Sequence, residues 1–73
     1  MTGEVNAIRI ILNGEPRTLP ERMSLLTLLE RLDVDPRTVA VEVNRVVVRR
    51  QRYEQTAIDD GAEVEIVAFV GGG

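Results

Sequence analysis

Alternating apolar and polar residues mark two strands in this chain. In residues 7–12 every second side chain is isoleucine or leucine, whereas Arg9 and Ile11 fall on the opposite face. Residues 39–43 repeat the pattern, with valine at each odd-numbered position. A period of two is typical of a β-strand with one buried face. We therefore predict a strand at each segment, with Ile11 on the face that points away from the core.

A tight turn follows the first strand. A type I′ hairpin turn needs positive φ at both central residues, and Asn13-Gly14 meets that need. Residues 16–19 then form a short returning strand. Pro16 has no N–H to donate, so this strand belongs at the edge of a sheet.

A helix is predicted to begin after Ser24. This residue is a good N-cap because its hydroxyl can accept a hydrogen bond from a backbone N–H of the first turn. Met23 and Leu28 occupy the positions of a hydrophobic staple around that cap. Pro36 prevents the helix from continuing. The apolar stripe that would face the core consists of Leu25, Leu28, Leu29 and Leu32.

The second half of the chain begins with another hairpin. Asn44-Arg45 predicts a tight turn between the strand at 39–43 and a short strand at 46–48. Residues 49–59 show no regular period and are predicted to be irregular. The apolar residues that would anchor this segment to the core are Tyr53 and Ile58.

The last strand is predicted at residues 63–69, after an Asp-Gly turn at positions 60–61. If its even-numbered residues face the helix, Val67 and Phe69 lie on the open face beside the C-terminus. Exposed apolar patches often mark partner sites, so we predict that Val67 and Phe69, joined by Ile11, form a docking surface. In the competing interpretation, strand twist tucks Phe69 into the core.

The order of elements predicts the fold. A hairpin, a crossover helix and further strands make a β-grasp arrangement: an α+β protein in which a mixed sheet of four to five strands packs against one main helix. We assign residues 7–70 to this domain. Residues 1–6 are expected to be a disordered N-terminal extension, and residues 71–73 a flexible glycine tail.

Composition removes several classes of function. The 73 residues contain no cysteine, histidine or lysine, so the chain has no thiolate nucleophile, no imidazole base and no Schiff-base lysine. The formal net charge is −3, which argues against a main role in nucleic-acid binding. No apolar run approaches the roughly 20 residues of a membrane span, and the N-terminus shows no signal-peptide pattern. We expect a cytoplasmic protein with no catalytic apparatus of its own.

Two groups of charged residues are candidate sites. One is a basic cluster that we interpret as a solvated face, with steering of an acidic partner as the alternative; it consists of Arg45, Arg49, Arg50 and Arg52. The other fits a solvated turn better than a metal site because it lacks calcium-loop spacing; it consists of Asp59, Asp60, Glu63 and Glu65.

The sequence ends in Gly71-Gly72-Gly73. Glycine tolerates nearly any φ and ψ, so such a tail can enter a narrow channel and present a carboxylate to another protein's active site. A flexible end without function is the other interpretation. Because a carboxylate is a poor electrophile, Gly73 would need activation by a partner, for example as an acyl-adenylate.

Several segments follow the pattern of one known family when they are combined with the element order. They are residues 11–15 (Ile-Leu-Asn-Gly-Glu), residues 41–45 (Val-Glu-Val-Asn-Arg), Arg52-Tyr53, Asp60-Gly61 and residues 69–73 (Phe-Val-Gly-Gly-Gly). With them the chain resembles the ThiS family, the ubiquitin-like sulfur carriers of thiamine biosynthesis. The resemblance extends over residues 7–73.

The resemblance implies a carrier and co-substrate, not an enzyme. A separate adenylating enzyme, similar to ubiquitin-activating enzymes, would use ATP to activate Gly73. Sulfur from a cysteine-desulfurase relay would then give a C-terminal thiocarboxylate, whose sulfur thiazole synthase takes into the thiazole ring. Gly71 and Gly72 would thread the partner's active site. The chain would bind no metal and no cofactor of its own.

Three other functions stay open at this point. The small subunit of molybdopterin synthase has the same fold and tail, although that family tends to carry proline nearer the tail, where this chain has Phe69-Val70. A ubiquitin-like modifier shares the activation chemistry and would form isopeptide bonds. A pure interaction domain would make no use of its glycine tail.

Overall fold

The computed structural model of this chain describes residues 6–69. They form seven strands, one α-helix and two short 3₁₀ helices. The strands are β1 (Ile8–Leu12), β2 (Glu15–Leu19), β3 (Met23–Ser24), β4 (Val39–Val43), β5 (Val46–Val48), β6 (Ala57–Ile58) and β7 (Glu63–Ala68). The helix α1 spans Leu25–Arg31, and the 3₁₀ helices span Pro36–Thr38 and Arg50–Gln55.

Five strands form one mixed sheet in the order β2-β1-β7-β4-β5. The last strand of the chain, β7, lies in the middle, parallel to β1 and antiparallel to β4. It is therefore inserted between two hairpins, β1–β2 and β4–β5. Leucines of α1 join the isoleucines and valines of one sheet face in a single buried cluster. The prediction of an α+β β-grasp fold with one main helix is confirmed.

Both hairpins turn through residues with positive φ. Asn13 and Gly14 have φ of 50° and 83°, as the predicted type I′ turn requires. Asn44 and Arg45 have φ of 52° and 69°, so the predicted second turn is also present. A non-glycine residue held in such a conformation costs about 1–3 kcal/mol, which the pairing of the flanking strands offsets. Pro16 lies in β2, at the edge of the sheet, as its missing N–H predicts.

The helix α1 is held by its cap and by its leucines. Ser24 Oγ accepts a hydrogen bond from the N–H of Thr27 at 3.0 Å, which confirms the predicted N-cap. The helix ends at Arg31 with Leu32 as its C-cap, so it is one residue shorter than the leucine stripe. The fully buried members of the stripe are Leu25, Leu28 and Leu29.

The segment predicted to be irregular contains a 3₁₀ helix, Arg50–Gln55, and the short strand β6, which pairs with β3. The N–H of Leu25 donates to the carbonyl of Thr56 at 2.7 Å, so this segment packs over the start of α1. Tyr53 and Ile58 are buried, and their predicted role as anchors is confirmed. The β3–β6 pair joins residues that are far apart in the sequence, so local periodicity cannot predict it.

The strand β7 ends at Ala68, one residue earlier than predicted. Val64 is buried, Ile66 is half-buried and Ala68 is exposed, so the predicted core face fades along the strand. The reason is that β7 runs past the end of β1, whose last pair with it is Leu12 with Val64. Residues 1–5 and 70–73, which hold most of the predicted N-terminal extension and the whole predicted tail, lie outside the described residues.

Candidate functional site

The glycine tail is attached to the central strand of the sheet. β7 pairs with β4 over five residue pairs that end at Ala68. One position further, the N–H of Phe69 donates to the carbonyl oxygen of Thr38 at 2.9 Å. The chain is therefore held to its neighbour up to Phe69. The residues predicted to carry the chemistry, Gly71, Gly72 and Gly73, lie outside the described residues.

We call the sheet face that points away from α1 the open face. In the strands β1, β4, β5 and β7 it consists of Arg9, Ile11, Ala40, Glu42, Val47, Glu63, Glu65 and Val67, and Phe69 continues it beyond β7. Four large apolar side chains on it are in contact with solvent: Ile11 (37% exposed), Val47 (68%), Val67 (60%) and Phe69 (65%). Apolar surface of this kind is typical of a site for a partner.

The open face holds all three residues predicted to dock a partner, but not as one patch. Val67 and Phe69 are exposed next to each other at the end of β7, and the competing placement of Phe69 in the core is wrong. Ile11 pairs with Glu63, at the other end of β7. At about 3.3 Å per residue, Ile11 lies about 13 Å from Val67 along the strand direction.

Val47 is an exposed member of this face that the sequence-based prediction omits. The register of the second hairpin sets Val47 opposite Glu42, and Val67 lies opposite Ala40 on the same central strand. Val47 and Val67 therefore flank β4 from its two sides. The sequence could have predicted this position of Val47, because a two-residue turn at positions 44–45 pairs residue 47 with residue 42 and so places both on the same face.

A groove of about 290 Å³ opens beside Phe69. It lies where β5 stops and leaves the start of β4 uncovered, and its apolar lining includes Val39 and Tyr53. Arg37 and Arg50 also line it. A partner that reaches the tail would therefore meet apolar surface and positive charge together at this end of the sheet.

Negative charge occupies the middle of the open face. Glu42 and Glu65 lie directly opposite each other on β4 and β7. Glu63, the next open-face residue along β7, is paired with Arg45, whose Nε lies 3.4 Å from Oε1 of the carboxylate. Among the described residues, neither Glu42 nor Glu65 has an ion-pair partner within 4 Å. Like charges in this arrangement destabilise an antiparallel pair.

The predicted basic cluster is divided by β5. Arg45 lies in the turn before this strand, and the other three arginines follow it. All four side chains are exposed, as the interpretation of a solvated face predicts. Because Arg45 pairs with Glu63, the arginines do not act as one positive patch. The three that follow β5 are Arg49, Arg50 and Arg52.

Three titratable groups near the groove, Asp35, Arg37 and Tyr53, have shifted pKa values, that of Arg37 being raised by its hydrogen bond to Asp35. Hydrogen bonds from the guanidinium and the backbone N–H of Arg37 lower the pKa of Asp35 to about 2. Burial raises the pKa of the Tyr53 phenol, and the charge of Arg50 opposes that shift. Asp35 also caps the 3₁₀ helix Pro36–Thr38. These interactions therefore hold the backbone on one side of the groove.

The acidic residues of the turn before β7 bind protein groups. The Asp59 carboxylate pairs with Arg22, and Asp60 Oδ1 accepts a hydrogen bond from the N–H of Arg9 at 2.8 Å. Within residues 6–69, no three carboxylates are gathered into a group that could hold a metal ion. No helix in the same part of the chain is long and apolar enough to cross a membrane.

A mixed five-stranded sheet on one main helix, with the last strand at its centre and a glycine tail after it, defines a ubiquitin-like β-grasp protein. Comparison with known families narrows this class of proteins to one family. The ThiS family matches residues 10–73. This chain belongs to the ThiS family, the small ubiquitin-like sulfur carriers of thiamine biosynthesis.

Individual relatives agree with this assignment. The crystal structure of the thiamine biosynthesis protein ThiS from Geobacter metallireducens superposes with a TM-score of 0.81 at 35% identity, covering 90% of this chain and 100% of that one. The ycf40 protein of Porphyra purpurea is 39% identical over 90% of this chain and 93% of its own length. A thiazole synthase of Paramagnetospirillum magneticum is 46% identical over 90% of this chain, which spans only 20% of that relative.

Proposed function

We propose that this chain is a sulfur carrier that holds its cargo as a thiocarboxylate on Gly73. The observation that carries the proposal is the match to the ThiS family, which runs through the glycine tail to residue 73. In this role the chain is a co-substrate and not an enzyme. It binds no metal or cofactor, and ATP is consumed by its partner, in the cytoplasm.

The chemistry begins with the carboxylate of Gly73 as a free C-terminus. In the partner's active site a carboxylate oxygen attacks the α-phosphate of ATP, which releases pyrophosphate and leaves an acyl-adenylate. The outer sulfur of a persulfide, supplied through a cysteine-desulfurase relay, then displaces AMP and gives an acyl disulfide. A second thiol attacks the sulfur of the supplying protein, so the S–S bond breaks, the thiocarboxylate leaves and the two thiols end as a disulfide. The net change replaces one oxygen of the carboxylate by one sulfur.

The attachment of the tail suits delivery into another protein. The chain is fixed to β4 up to Phe69 by the hydrogen bond to Thr38, so the position of the tail's origin is defined by the sheet. Gly71 and Gly72 have no side chains that would obstruct a narrow channel. We propose that these two residues thread the active site of the partner and that Gly73 reaches its reacting atoms.

The open face supplies the proposed docking surface for the adenylating enzyme. Val67 and Phe69 are exposed at the root of the tail, where a partner holding the tail must also cover them. Ile11 extends the contact toward the far end of β7. Apolar surface removed from water at this interface would contribute roughly 25 cal/mol per Å².

Thiazole synthase is the proposed acceptor of the sulfur. Support comes from the Paramagnetospirillum magneticum protein of that name, which contains a segment 46% identical to 90% of this chain. Because that segment makes up only 20% of the relative, a carrier-like domain there shares one polypeptide with further sequence. Domains joined in one organism commonly work together as separate chains in another.

Intact-mass spectrometry tests the proposal directly. The full chain is incubated with ATP, a cysteine-desulfurase system and a candidate adenylating enzyme, beside a variant that lacks Gly73. We expect a mass gain equal to exchanging one oxygen for sulfur in the full chain and none in the deletion variant. Addition of thiazole synthase and its substrates should return the mass to its starting value.

The same experiment separates the other functions. Return of the mass with molybdopterin synthase components, and not with thiazole synthase, would assign the chain to molybdenum-cofactor synthesis. A protein conjugate seen after activation would favour a ubiquitin-like modifier. No mass change with an enzyme shown to be active on another carrier would contradict sulfur carriage and favour a pure interaction domain.

A further inference from the structure

We propose that the open face selects a partner surface that presents a lysine or arginine side chain between apolar groups, and that the same feature rejects a second copy of this chain. The partner meant is the adenylating enzyme, so the inference rests on the proposed function. It adds the chemistry by which that partner is recognised.

The layout of side chains on three neighbouring strands supports this. Glu42 on β4 and Glu65 on β7 form one cross-strand pair, and Val47 on β5 extends the row beyond Glu42. The next row along the sheet pairs Ala40 with Val67. Adjacent strands are about 4.8 Å apart, so the two carboxylates lie close together, with Val47 on one side and the Ala40–Val67 row on another. The other two sides are polar: Asn13 lies beside Glu65, and the Glu63–Arg45 ion pair follows along β7.

Neither glutamate of the pair has an ion-pair partner within 4 Å in the part of the chain that the structure describes. Arg45 lines the same cavity as both of them, but its ion pair is with Glu63. Across the strands, Glu42 lies between Val47 and Glu65, and the side chain of Asn13 flanks Glu65 on its other side, so no cross-strand neighbour of either glutamate is basic. While the face is in water, solvent screens the two charges.

A partner that covers the open face removes the water that screens Glu42 and Glu65. A partner that buries Val47 and Val67 also removes water from the carboxylates between them, and unpaired charges out of water are strongly unfavourable. A purely apolar surface would therefore bind poorly. A guanidinium or ammonium group placed between Glu42 and Glu65 would satisfy both carboxylates and relieve their mutual repulsion.

A second copy of this chain does not meet that requirement. A twofold axis that passes through the Glu42–Glu65 pair would place this pair of one copy against the same pair of the other. Four carboxylates would then share one buried interface, and the nearby Arg45 of each copy is already paired with Glu63. Repulsion of this kind keeps an exposed apolar face from self-association while leaving it available to a basic partner.

The test uses the double variant Glu42→Gln/Glu65→Gln in the full chain. Its matched control is Glu30→Gln/Glu54→Gln, which removes two negative charges from exposed positions on α1 and on the second 3₁₀ helix. Binding to the adenylating enzyme is measured by calorimetry at low and high salt. Self-association is measured by sedimentation, and folding by circular dichroism and thermal melting.

We expect the open-face variant to bind the enzyme at least about tenfold more weakly, with a smaller salt dependence, while its melting temperature rises or stays the same. It should also self-associate at concentrations where the wild type is monomeric. The control variant should match the wild type in affinity and in association state. A gain in thermal stability together with a loss of affinity would distinguish recognition from a merely structural role.

Three results would overturn the inference. One is an unchanged affinity and salt dependence in the open-face variant. If the wild type becomes thiocarboxylated in the same preparation, the proposed function stands although this inference fails. Another is a loss of affinity for thiazole synthase, measured in parallel, without a loss for the adenylating enzyme, which would make the proposed partner wrong. The last is equal loss in the control variant, which assigns the effect to net charge. Absence of thiocarboxylation in the wild type would instead contradict the proposed function.

Discussion

The side chain of Asn13 takes the place of a strand beside Ile66. Its Oδ1 accepts a hydrogen bond from the N–H of Ile66 at 2.7 Å, and its Nδ2 donates to the carbonyl of the same residue at 3.3 Å. The last residue pair of β1 with β7 is Leu12 with Val64, and the N–H of Asn13 adds a backbone hydrogen bond to the carbonyl of Val64 at 2.8 Å. The amide therefore continues the ladder after the main chain has turned away, and supports the part of β7 that leads to the tail.

Substitution of Asn13 should separate that role from the turn. Asn13→Gly keeps a residue that accepts positive φ but removes both bonds to Ile66, so we expect the free energy of unfolding to fall by about 1–2 kcal/mol. Asn13→Ala removes the same bonds and adds the strain of an alanine held at positive φ, so its free energy of unfolding should fall further. Urea unfolding measures both. Equal stability of Asn13→Gly and the wild type would show that β7 does not depend on this amide.

The apolar end of the open face should matter for binding and not for stability. Val67→Ser/Phe69→Ser changes two side chains that are 60% and 65% exposed, so we expect the free energy of unfolding to change by less than about 1 kcal/mol. Affinity for the adenylating enzyme should fall clearly. Val46→Ser is the matched control, because Val46 is 63% exposed but lies on the opposite side of the sheet. A large fall in melting temperature for the double variant would contradict a docking role.

The cap of α1 should contribute measurably to stability. Ser24→Ala removes the oxygen that accepts from Thr27, and we expect a loss of about 1 kcal/mol in the free energy of unfolding. Ser24→Asp retains an acceptor at the N-cap and should lose little. Chemical denaturation of the three proteins checks the order. If both variants lost the same amount, the hydrogen bond that Ser24 Oγ donates to Thr27 Oγ1 at 3.0 Å would be the more important contact, because neither alanine nor an ionised aspartate can donate it.

Acid should remove a defined part of the stability through Asp35. Arg37 lowers the pKa of this carboxyl from 3.8 to about 2 in the folded chain. Since the folded pKa lies below the unfolded one, the contribution is complete above about pH 5 and is lost as the pH falls through the unfolded value toward 2. The difference in unfolding free energy between the wild type and Asp35→Asn should therefore shrink between about pH 5 and about pH 2.

Titration of the Asp35 carboxyl by NMR checks the cause. Arg37→Gln removes the guanidinium but keeps the backbone N–H that also donates to Asp35, so the pKa should move part of the way back toward 3.8. An unchanged Asp35 pKa in that variant would show that the guanidinium bond is not formed in solution.

Local patterns were sufficient for most of the elements. The turn at Asn13-Gly14, the N-cap at Ser24 and the alternation in β4 each depend on residues within a few positions of one another. Such signals are visible in a sequence because their hydrogen bonds and faces are local. The end of β7 is misplaced by one residue, since this limit depends on which neighbours the strand meets in the fold.

By itself the sequence determined the strands, the two turns, the capped helix, the missing Cys, His and Lys, and the glycine tail that points to a carrier. Only the tertiary structure decided that β7 lies between two hairpins, that Phe69 is exposed, and that Glu42 meets Glu65. The physical reason is distance along the chain: these contacts join β7 to strands about 20 to 50 residues earlier, and their register is chosen by packing of the whole core. That register brings the apolar and acidic residues of the open face together, and these residues determine which partner chemistry the face selects.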